Sequence, residues 1–555
     1  MEKQGNKLIK LGKVLVWGLV TVGVLSLSFN GQTAEAAKKK DADAPKKIVY
    51  IPHDNRPISN AQTAEVVKKL GYNVVVPPDH LLGNREDLGN PEKLWDWLET
   101  NANEADVAVV SADSMIYGSL VGSRKHNETQ RRLLERAGRF NEFHHLYPNL
   151  QVFVFSSLMR TPKSGEASGH EEPDYYRLYG SDIFRYTLLK DKAEVEGLTA
   201  RETKEYEFLG RLIPEKSLTD WMGRRSKNFE VNKHLMELCR QGVFNYLVIG
   251  RDDNAPYSQT HLERRHLEEY SQGLSEDIYQ SMAGIDEVGV LLLARAVNHL
   301  TGEIPTVFAR YNWGNGSYTI PAYSDERLSQ SVADAISVAG ATDAYEPDKA
   351  DLVLAINTNP SGRTFEAGER ANDGRKREGT DYFADIVTDY LSKGYPLGVA
   401  DVAYANGADN TLMENLKKNG QLFKLRSYAG WNTPTNSTGF AIGAGVLSGR
   451  MNTEDREDIL LTRYLDDWAY QANVRNTVAR QLTWLKGDGL YGNLDSKLDS
   501  VSVRSSRFMK EFVTASLPPL NTLATIEVSF PWNRMFEAEI EHGLPSNEPI
   551  LKLNK

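Results

Sequence analysis

One pattern recurs along this 555-residue chain: a short apolar segment, then polar residues, then an amphipathic stretch. Residues 246–256 show it most clearly, because Tyr-Leu-Val-Ile is short enough for a buried strand and is followed by Arg251, Asp252 and Asp253. Pro256 and the polar residues after it predict a turn into a helix. The two acids are therefore expected on a strand-to-helix loop, which is where α/β folds bind ligands.

The repetition of this pattern predicts an α/β fold, because strands that alternate with helices form a parallel sheet with helices outside. We predict that the sheet closes into a barrel-like (β/α) body. Two doubly wound α/β domains are the alternative, with a seam near the long insertion or near residue 340. The predicted strands are residues 47–51, 73–76, 106–111, 151–156, 246–249, 306–310, 351–356, 397–402 and a last one from residue 423.

The first forty residues are typical of a targeting segment. Four lysines precede an apolar stretch, and Ala34-Glu35-Ala36 offers a small-residue cleavage site. We therefore expect a secreted or cell-wall-associated protein with no stable membrane span after processing. The predicted segments are a signal peptide (1–36), a disordered tether (37–46), the α/β body (47–163 and 243–450), a mostly helical insertion (164–242) and a C-terminal helical and β extension (451–555).

Composition excludes several classes of protein. The formal charge of -10 argues against a nucleic-acid binder, which needs a positive face to displace counterions. Cys239 is the single cysteine, so neither an intrachain disulfide nor a thiolate zinc cluster can form. Cys239 lies in a helix-like stretch and is predicted to be a core residue.

Acidic, amide and aromatic side chains follow most of the predicted strands, and we expect them to converge at one edge of the body. Neighbouring carboxylates shift one another's pKa, so that one acid stays protonated beside an ionised one, as glycoside hydrolysis requires. Aromatic rings and amides suit the apolar faces and hydroxyls of a sugar. The predicted catalytic residues are Asp252, Asp253, Asp113 and Asp54. The predicted substrate-binding residues are Arg56, Arg310, Asp401, Asn406, Trp431 and Asn432.

Each of these acids also has a purely structural interpretation. An Asp after a strand is a common helix N-cap, and Asp286 and Asp409 are the acids most typical of that role. Glu287 could be a buried general acid, but the pattern favours an ordinary first-turn helix charge.

No cofactor is predicted, although a divalent metal stays an open alternative. His53 and His261 could join the acids in a cation site that activates water. Against it, the sequence contains no H-E-x-x-H or D-x-D-x-D-G spacing, and it has no phosphate-binding glycine motif for a nucleotide.

Seven motifs, taken together, resemble a family of mostly exported bacterial proteins catalogued as domain of unknown function 4127. The resemblance implies export and a single long architecture, and it implies no mechanism. The motifs are I-P-H-D-N-R-P (51–57), S-A-D-S-M-I-Y-G-S-L-V-G-S-R (111–124), G-R-D-D-N-A-P-Y (250–257), D-E-V-G-V-L-L-L-A-R (286–295), D-V-A-Y-A-N-G-A-D (401–409), G-W-N-T-P-T-N-S-T-G (430–439) and F-P-W-N-R-M-F-E (530–537).

The functional expectation is a secreted carbohydrate-active enzyme, a glycoside hydrolase acting on a cell-wall or environmental glycan. Asp252 and Asp253 would be its general acid and its nucleophile or base. A metal-dependent hydrolase, such as a deacetylase or phosphoesterase, is one alternative, and a non-catalytic glycan- or peptidoglycan-binding protein is another.

Overall fold

A six-stranded parallel sheet forms the first half of the fold in a computed structural model, which describes residues 45–165, 171–482, 491–517 and 525–543. Its strands are β1 (Lys47–Ile51), β2 (Asn73–Val75), β3 (Val107–Ser111), β4 (Gln151–Leu158), β5 (Tyr246–Arg251) and β6 (Tyr279–Ala283). They lie in the order β2-β1-β3-β4-β5-β6. Every residue of β3 and β5 is buried, as expected for parallel strands that are covered on both faces.

In the described part of this half, nine α-helices connect these strands. They are α1 (Ala61–Lys68), α2 (Pro91–Ala102), α3 (Ala112–Tyr117), α4 (Leu120–Lys125), α5 (Gln130–Leu146), α6 (Tyr176–Val195), α7 (Ala200–Leu212), α8 (Glu215–Arg240) and α9 (Gln259–Tyr270). Three of them, α6 to α8, occupy the predicted insertion, where Trp221 and Tyr176 form a small separate core.

The second half contains a second parallel sheet. Its strands and one further pair are β7 (Thr306–Tyr311), β8 (Thr342–Asp343), β9 (Leu352–Asn357), β10 (Phe365–Glu366), β11 (Leu397–Asp401), β12 (Tyr404–Ala405) and β13 (Ser427–Ala429). Five of these strands form the sheet in the order β8-β7-β9-β11-β13, while β10 pairs with β12. The helices are α10 (Val288–Thr301), α11 (Leu328–Val338), α12 (Glu378–Ser392), α13 (Asn410–Lys418) and α14 (Pro434–Ser448).

The C-terminal extension packs on the second sheet. It consists of α15 (Thr453–Arg463), a π-helical segment (Tyr464–Val474), α16 (Arg475–Gln481), α17 (Leu498–Ser516) and an antiparallel pair, β14 (Thr525–Ser529) and β15 (Glu539–Gly543). Its apolar residues share a core with the outer face of the second sheet.

The two sheets have the same strand order. Counted from its own first strand, each runs 2-1-3-4-5, and the first sheet adds β6 at its edge. Such a sheet is open and doubly wound, with a switch point between its first and third strands, where successive helices leave to opposite faces. The α/β class is thus confirmed, but the barrel is corrected to two open sheets. Alternation of strands and helices is common to both arrangements, so the sequence pattern could not separate them.

A helical layer lies between the two sheets. α10 packs on β3 and β4 of the first sheet, α14 packs on β9, β11 and β13 of the second, and the two helices pack on each other. Every residue of α14 is buried, as expected for a helix with no polar face. One core runs from the first sheet through this layer to the second, so the chain from Pro45 onward is one compact unit rather than two domains.

Several local predictions can be compared with this structure. The helix predicted from the 288–300 pattern is confirmed as α10, and Gly302 ends it with φ 70°. Asp409 is confirmed as an N-cap, because its carboxylate accepts from the backbone N–H groups of Thr411 and Leu412. Asp286 as the cap of α10 is wrong, since Glu287 occupies that position without a capping bond. Cys239 is buried as predicted.

The signal peptide predicted for residues 1–36 and most of the tether lie outside the described residues. Within the part of the chain that is described, no helix combines the length and apolar character needed to cross a membrane.

Candidate active site

A cavity of about 90 Å³ opens where the carboxyl ends of the two sheets face each other. The first sheet supplies loops after β1, β5 and β6, and the second supplies loops after β7, β12 and β13. The loop between β14 and β15 closes one side. Polar lining residues are Arg56, Arg124, Arg160, Glu171, Asp252, Asp253, Asp286, Tyr323, Asn406, Asn432, Asn436, Tyr491 and Arg534.

Arg56 and Asp286 form the centre of one wall. The Arg56 guanidinium donates to both carboxylate oxygens of Asp286, at 2.6 and 3.2 Å, and its Nε donates to Asp54 at 2.9 Å. His53 Nε2 lies 3.1 Å from the Asp286 carboxylate. Burial alone would raise the pKa of Asp286, but Arg56 and His53 hold that pKa well below its usual value. Asp286 is therefore ionised across the neutral range.

Glu171 joins three arginines on the opposite side. Its carboxylate accepts from Arg124, lies 3.3 Å from Arg160 and lies 2.6 Å from Arg534. Burial alone would raise the pKa of Glu171, but the three guanidiniums, with Arg56, hold it well below the usual value. This carboxylate ties α4, the loop after β4 and the C-terminal loop together.

The neighbours Asp252 and Asp253 both line the cavity but have different surroundings. Asp252 accepts from the Arg124 guanidinium and is nearly buried. Asp253 lies 3.3 Å from Arg160, and 31% of its side chain is exposed. Partial burial of the carboxyl and the nearby charge of Asp252 raise the pKa of Asp253 to about 6. An acid with a pKa of about 6 thus shares the cavity with the ionised Asp286.

Two more acids lie behind the cavity wall. Asp113 is fully buried; the backbone N–H of Ser157 donates to one of its oxygens, and burial raises its pKa to about 6. Glu287 is 1% exposed and lies against Gly284, and burial raises its pKa well above the usual value. Neither side chain lines the cavity, and Asp113 therefore lies outside the group that a substrate in the cavity would meet.

Of the ten predicted site residues, five line the cavity. These are Arg56, Asp252, Asp253, Asn406 and Asn432. Asp54 lies directly behind Arg56, and its carboxylate accepts hydrogen bonds from the backbone N–H and the Nε of Arg56.

The remaining predicted substrate-binding residues lie elsewhere. Trp431 is 2% exposed and packs on Phe536 rather than presenting a face to the cavity. Asp401 is the buried last residue of β11, where its carboxylate accepts hydrogen bonds from Tyr428 and Asn357. Arg310 lies on β7 and does not line the cavity.

Five charged lining residues were not predicted as site residues: Arg124, Arg160, Glu171, Asp286 and Arg534. Three of them, Arg124, Asp286 and Arg534, stand inside the motifs that carry the family resemblance, and Arg160 follows the predicted strand 151–156. Arg124 and Arg534 do not directly follow a predicted strand, so the strand-exit pattern could not find them. Glu171 lies in the insertion and had no signal.

The histidines of the alternative metal site lie apart. His53 contacts Asp286 and Ser59, whereas His261 Nδ1 pairs with Asp191 at 2.6 Å. Among the residues that the structure describes, no group of three or more His, Cys, Asp or Glu side chains is arranged to hold a metal ion.

The chain matches a known protein family over most of its length. A family model described as "Protein of unknown function (DUF4127)" matches residues 48–541. The chain belongs to the DUF4127 family. The matched region contains every cavity residue named above, including the C-terminal Arg534, so the cavity is built entirely from DUF4127 sequence. No curated protein and no solved structure matches the chain significantly.

Proposed function

We propose that this DUF4127 protein is a secreted glycoside hydrolase. Asp253 is the general acid that protonates the leaving oxygen, and Asp252 is the nucleophile or base. The observation that carries the proposal is the raised pKa of Asp253, about 6, beside ionised carboxylates in one cavity. Glycoside hydrolysis requires one protonated and one ionised carboxyl group at the same bond.

The number of partners that each carboxylate has supports this assignment of roles. Asp286 accepts from Arg56 and lies within reach of the amides of Asn432 and Asn436, so its oxygens are fully engaged. Asp252 forms one salt bridge among the described residues, with Arg124. A carboxylate with fewer hydrogen-bond partners is the better nucleophile or base. Asp286 instead has the role of holding Arg56 and the side-chain amides of Asn432 and Asn436 in position.

The charges of the site are matched in number. Among the described residues that line the cavity, four guanidiniums stand with four carboxyl groups, those of Glu171, Asp252, Asp253 and Asp286. The arginines fix the acids in place and donate hydrogen bonds to sugar hydroxyls.

The test is the release of reducing sugar from a panel of bacterial and plant cell-wall polysaccharides. Asp252→Asn and Asp253→Asn should each abolish turnover while leaving the melting temperature within a few degrees. Asp348→Asn, at an exposed acid, is the matched control and should keep full activity. Full activity in the Asp252 and Asp253 variants would end the assignment.

The same variants separate the alternative functions. A non-catalytic glycan-binding protein would bind but release no sugar in any variant. A metal-dependent hydrolase would lose activity in chelator and recover with added divalent metal, whereas the proposed mechanism is unchanged by chelator.

Secretion is part of the proposal and is supported by the lysine-rich, apolar N-terminal segment with its small-residue site. N-terminal sequencing of the protein from the culture medium or wall fraction should begin at Ala37. A chain that starts at Met1 and stays in the cell would contradict it.

A further inference from the structure

An exposed tryptophan stands at the carboxyl edge of the second sheet. Trp313, on the loop after β7, is 50% exposed, whereas Trp95, Trp221, Trp431 and Trp468 are all buried. A large ring left in water loses the free energy that its burial would contribute. An exposed Trp beside polar loops is therefore a candidate for contact with a ligand.

The loop that carries Trp313 is fixed from both sides. The Asn312 side chain donates to the carbonyl oxygens of Thr358, at 3.0 Å, and Gly379, at 3.1 Å. The backbone N–H of Asn315 donates to Pro360 at 3.0 Å. The ring is thus held on a rigid support, which lowers the conformational entropy lost on binding.

Glycine at position 379 allows this close packing. A Cβ at that position would lie 2.6 Å from the Pro360 ring and 3.6 Å from Trp313 Nε1, so the first turn of α12 lies directly against both rings. Tyr382 is three residues further along α12, on the same helix face, and is 45% exposed. Trp313 and Tyr382 therefore offer two aromatic rings along one surface.

The place of this surface in the fold points to a ligand. Trp313 follows β7, and its loop is bonded to the loop after β9; these are the first and third strands of the second sheet. α11, which follows β7, packs in the core between the sheets, and α12, which follows β9, packs in the outer core. Open α/β sheets bind ligands at such a switch point. In the first sheet the equivalent loop carries Arg56, which lines the cavity.

We propose that Trp313 and Tyr382 form a second glycan-binding site, which holds a polysaccharide chain by stacking on its pyranose rings. The inference rests on the proposed function for its ligand class. The loop from Trp313 leads to Tyr323 in the cavity wall, and Tyr323 donates to Glu366, which also accepts from Asn406. The chain segment that carries Trp313 therefore also supplies a residue of the cavity wall.

Affinity electrophoresis in gels containing soluble xylan, hydroxyethylcellulose or peptidoglycan fragments tests this proposal. Trp313→Ala should weaken retardation of the protein by at least about fivefold, since the stacked ring area is lost. Tyr345→Ala, which removes a 98% exposed ring after β8, is the matched control and should bind as the wild type does. Circular dichroism of both variants checks that they fold.

Binding and cleavage are measured separately. Asp253→Asn should still bind through Trp313 although it cleaves nothing. If Trp313→Ala binds as tightly as the wild type, or if the wild type binds none of these polysaccharides, the aromatic site is overturned. If binding depends on Trp313 but no sugar is ever released, the aromatic site stands and the proposed hydrolase activity fails.

Discussion

Asp252 and Asp253 are adjacent in sequence, yet Asp252 is nearly buried beside Arg124 whereas 31% of the Asp253 side chain is exposed. Because the pKa of Asp253 is about 6, the proposed general acid is protonated below that pH and loses its proton above it. We predict that kcat/KM falls as pH rises through about 6, and that a leaving group needing no protonation restores the rate of Asp253→Asn. A pH–rate profile with an activated aryl glycoside measures both. A profile that stays flat to pH ~8 would contradict the role.

Glu171 provides a second prediction at this scale. Glu171→Gln removes the negative charge that three buried guanidiniums share. Breaking buried ion pairs lowers the free energy of unfolding by about 3–5 kcal/mol. Urea unfolding measures the loss. Glu346→Gln removes one exposed partner of Lys349 and should cost less than about 1 kcal/mol. Equal effects in the two variants would show that the Glu171 cluster contributes little to stability.

Residues that directly follow strands could be predicted from the sequence, because the strand pattern is local. Asp252, Asp253 and Asn432 were found in this way. Arg534 could not be found, since it reaches the cavity from a loop between two C-terminal strands. Trp431 follows a strand too, but its ring turns into the core, and no local pattern sets which way a side chain faces after the strand ends.

At the scale of elements, α14 depends on small residues where it meets the second sheet. A Cβ on Gly445 would lie 2.6 Å from Leu352 and 2.8 Å from Ser427 Oγ. We predict that Gly445→Ala lowers the free energy of unfolding by about 1–3 kcal/mol through overpacking. Gly449→Ala, where nothing lies within 4 Å, should be neutral or slightly stabilising. Thermal unfolding of both variants measures the difference. Equal melting temperatures for the two variants would contradict the close packing at Gly445.

The elements themselves were predictable to different degrees. Buried strands such as β3 and β5 were found because they are continuous apolar runs. β6 was missed because this edge strand, Tyr-Gln-Ser-Met-Ala, contains polar residues and has no such run. The order of strands within each sheet is set by packing between distant segments, so the sequence could give the α/β class but not the two open sheets.

For the whole molecule, buried acids determine how stability depends on pH. Burial raises the pKa of Asp113 and Asp253 to about 6 and of Asp334, Asp401 and Asp467 to about 7. An unfolded aspartate has a pKa of about 4, so between pH ~4 and ~7 these five acids hold more protons in the folded protein than in the unfolded chain. Burial lowers the pKa of His126, His234 and His542, which opposes this effect in part. Stability from these groups is therefore lost as pH rises through this window. We predict a higher melting temperature at about pH 5 than at about pH 8.

Asp334→Asn provides the control for this prediction. One oxygen of Asp334 accepts from both Gln280 and Gln330, and the Asn carbonyl keeps both bonds. The variant should therefore show a smaller difference in melting temperature between the two pH values. An unchanged difference would mean that Asp334 does not titrate in this range.

The closing of the cavity by the segment around Arg534 has a consequence for biosynthesis. Arg534 and Phe536 come later in the chain than every other residue that lines the cavity, so a ribosome makes them after the rest of its wall. A nascent chain has Asp252 and Asp253 long before it has the wall that encloses them. The cavity is therefore completed only after the segment around Arg534 has been made.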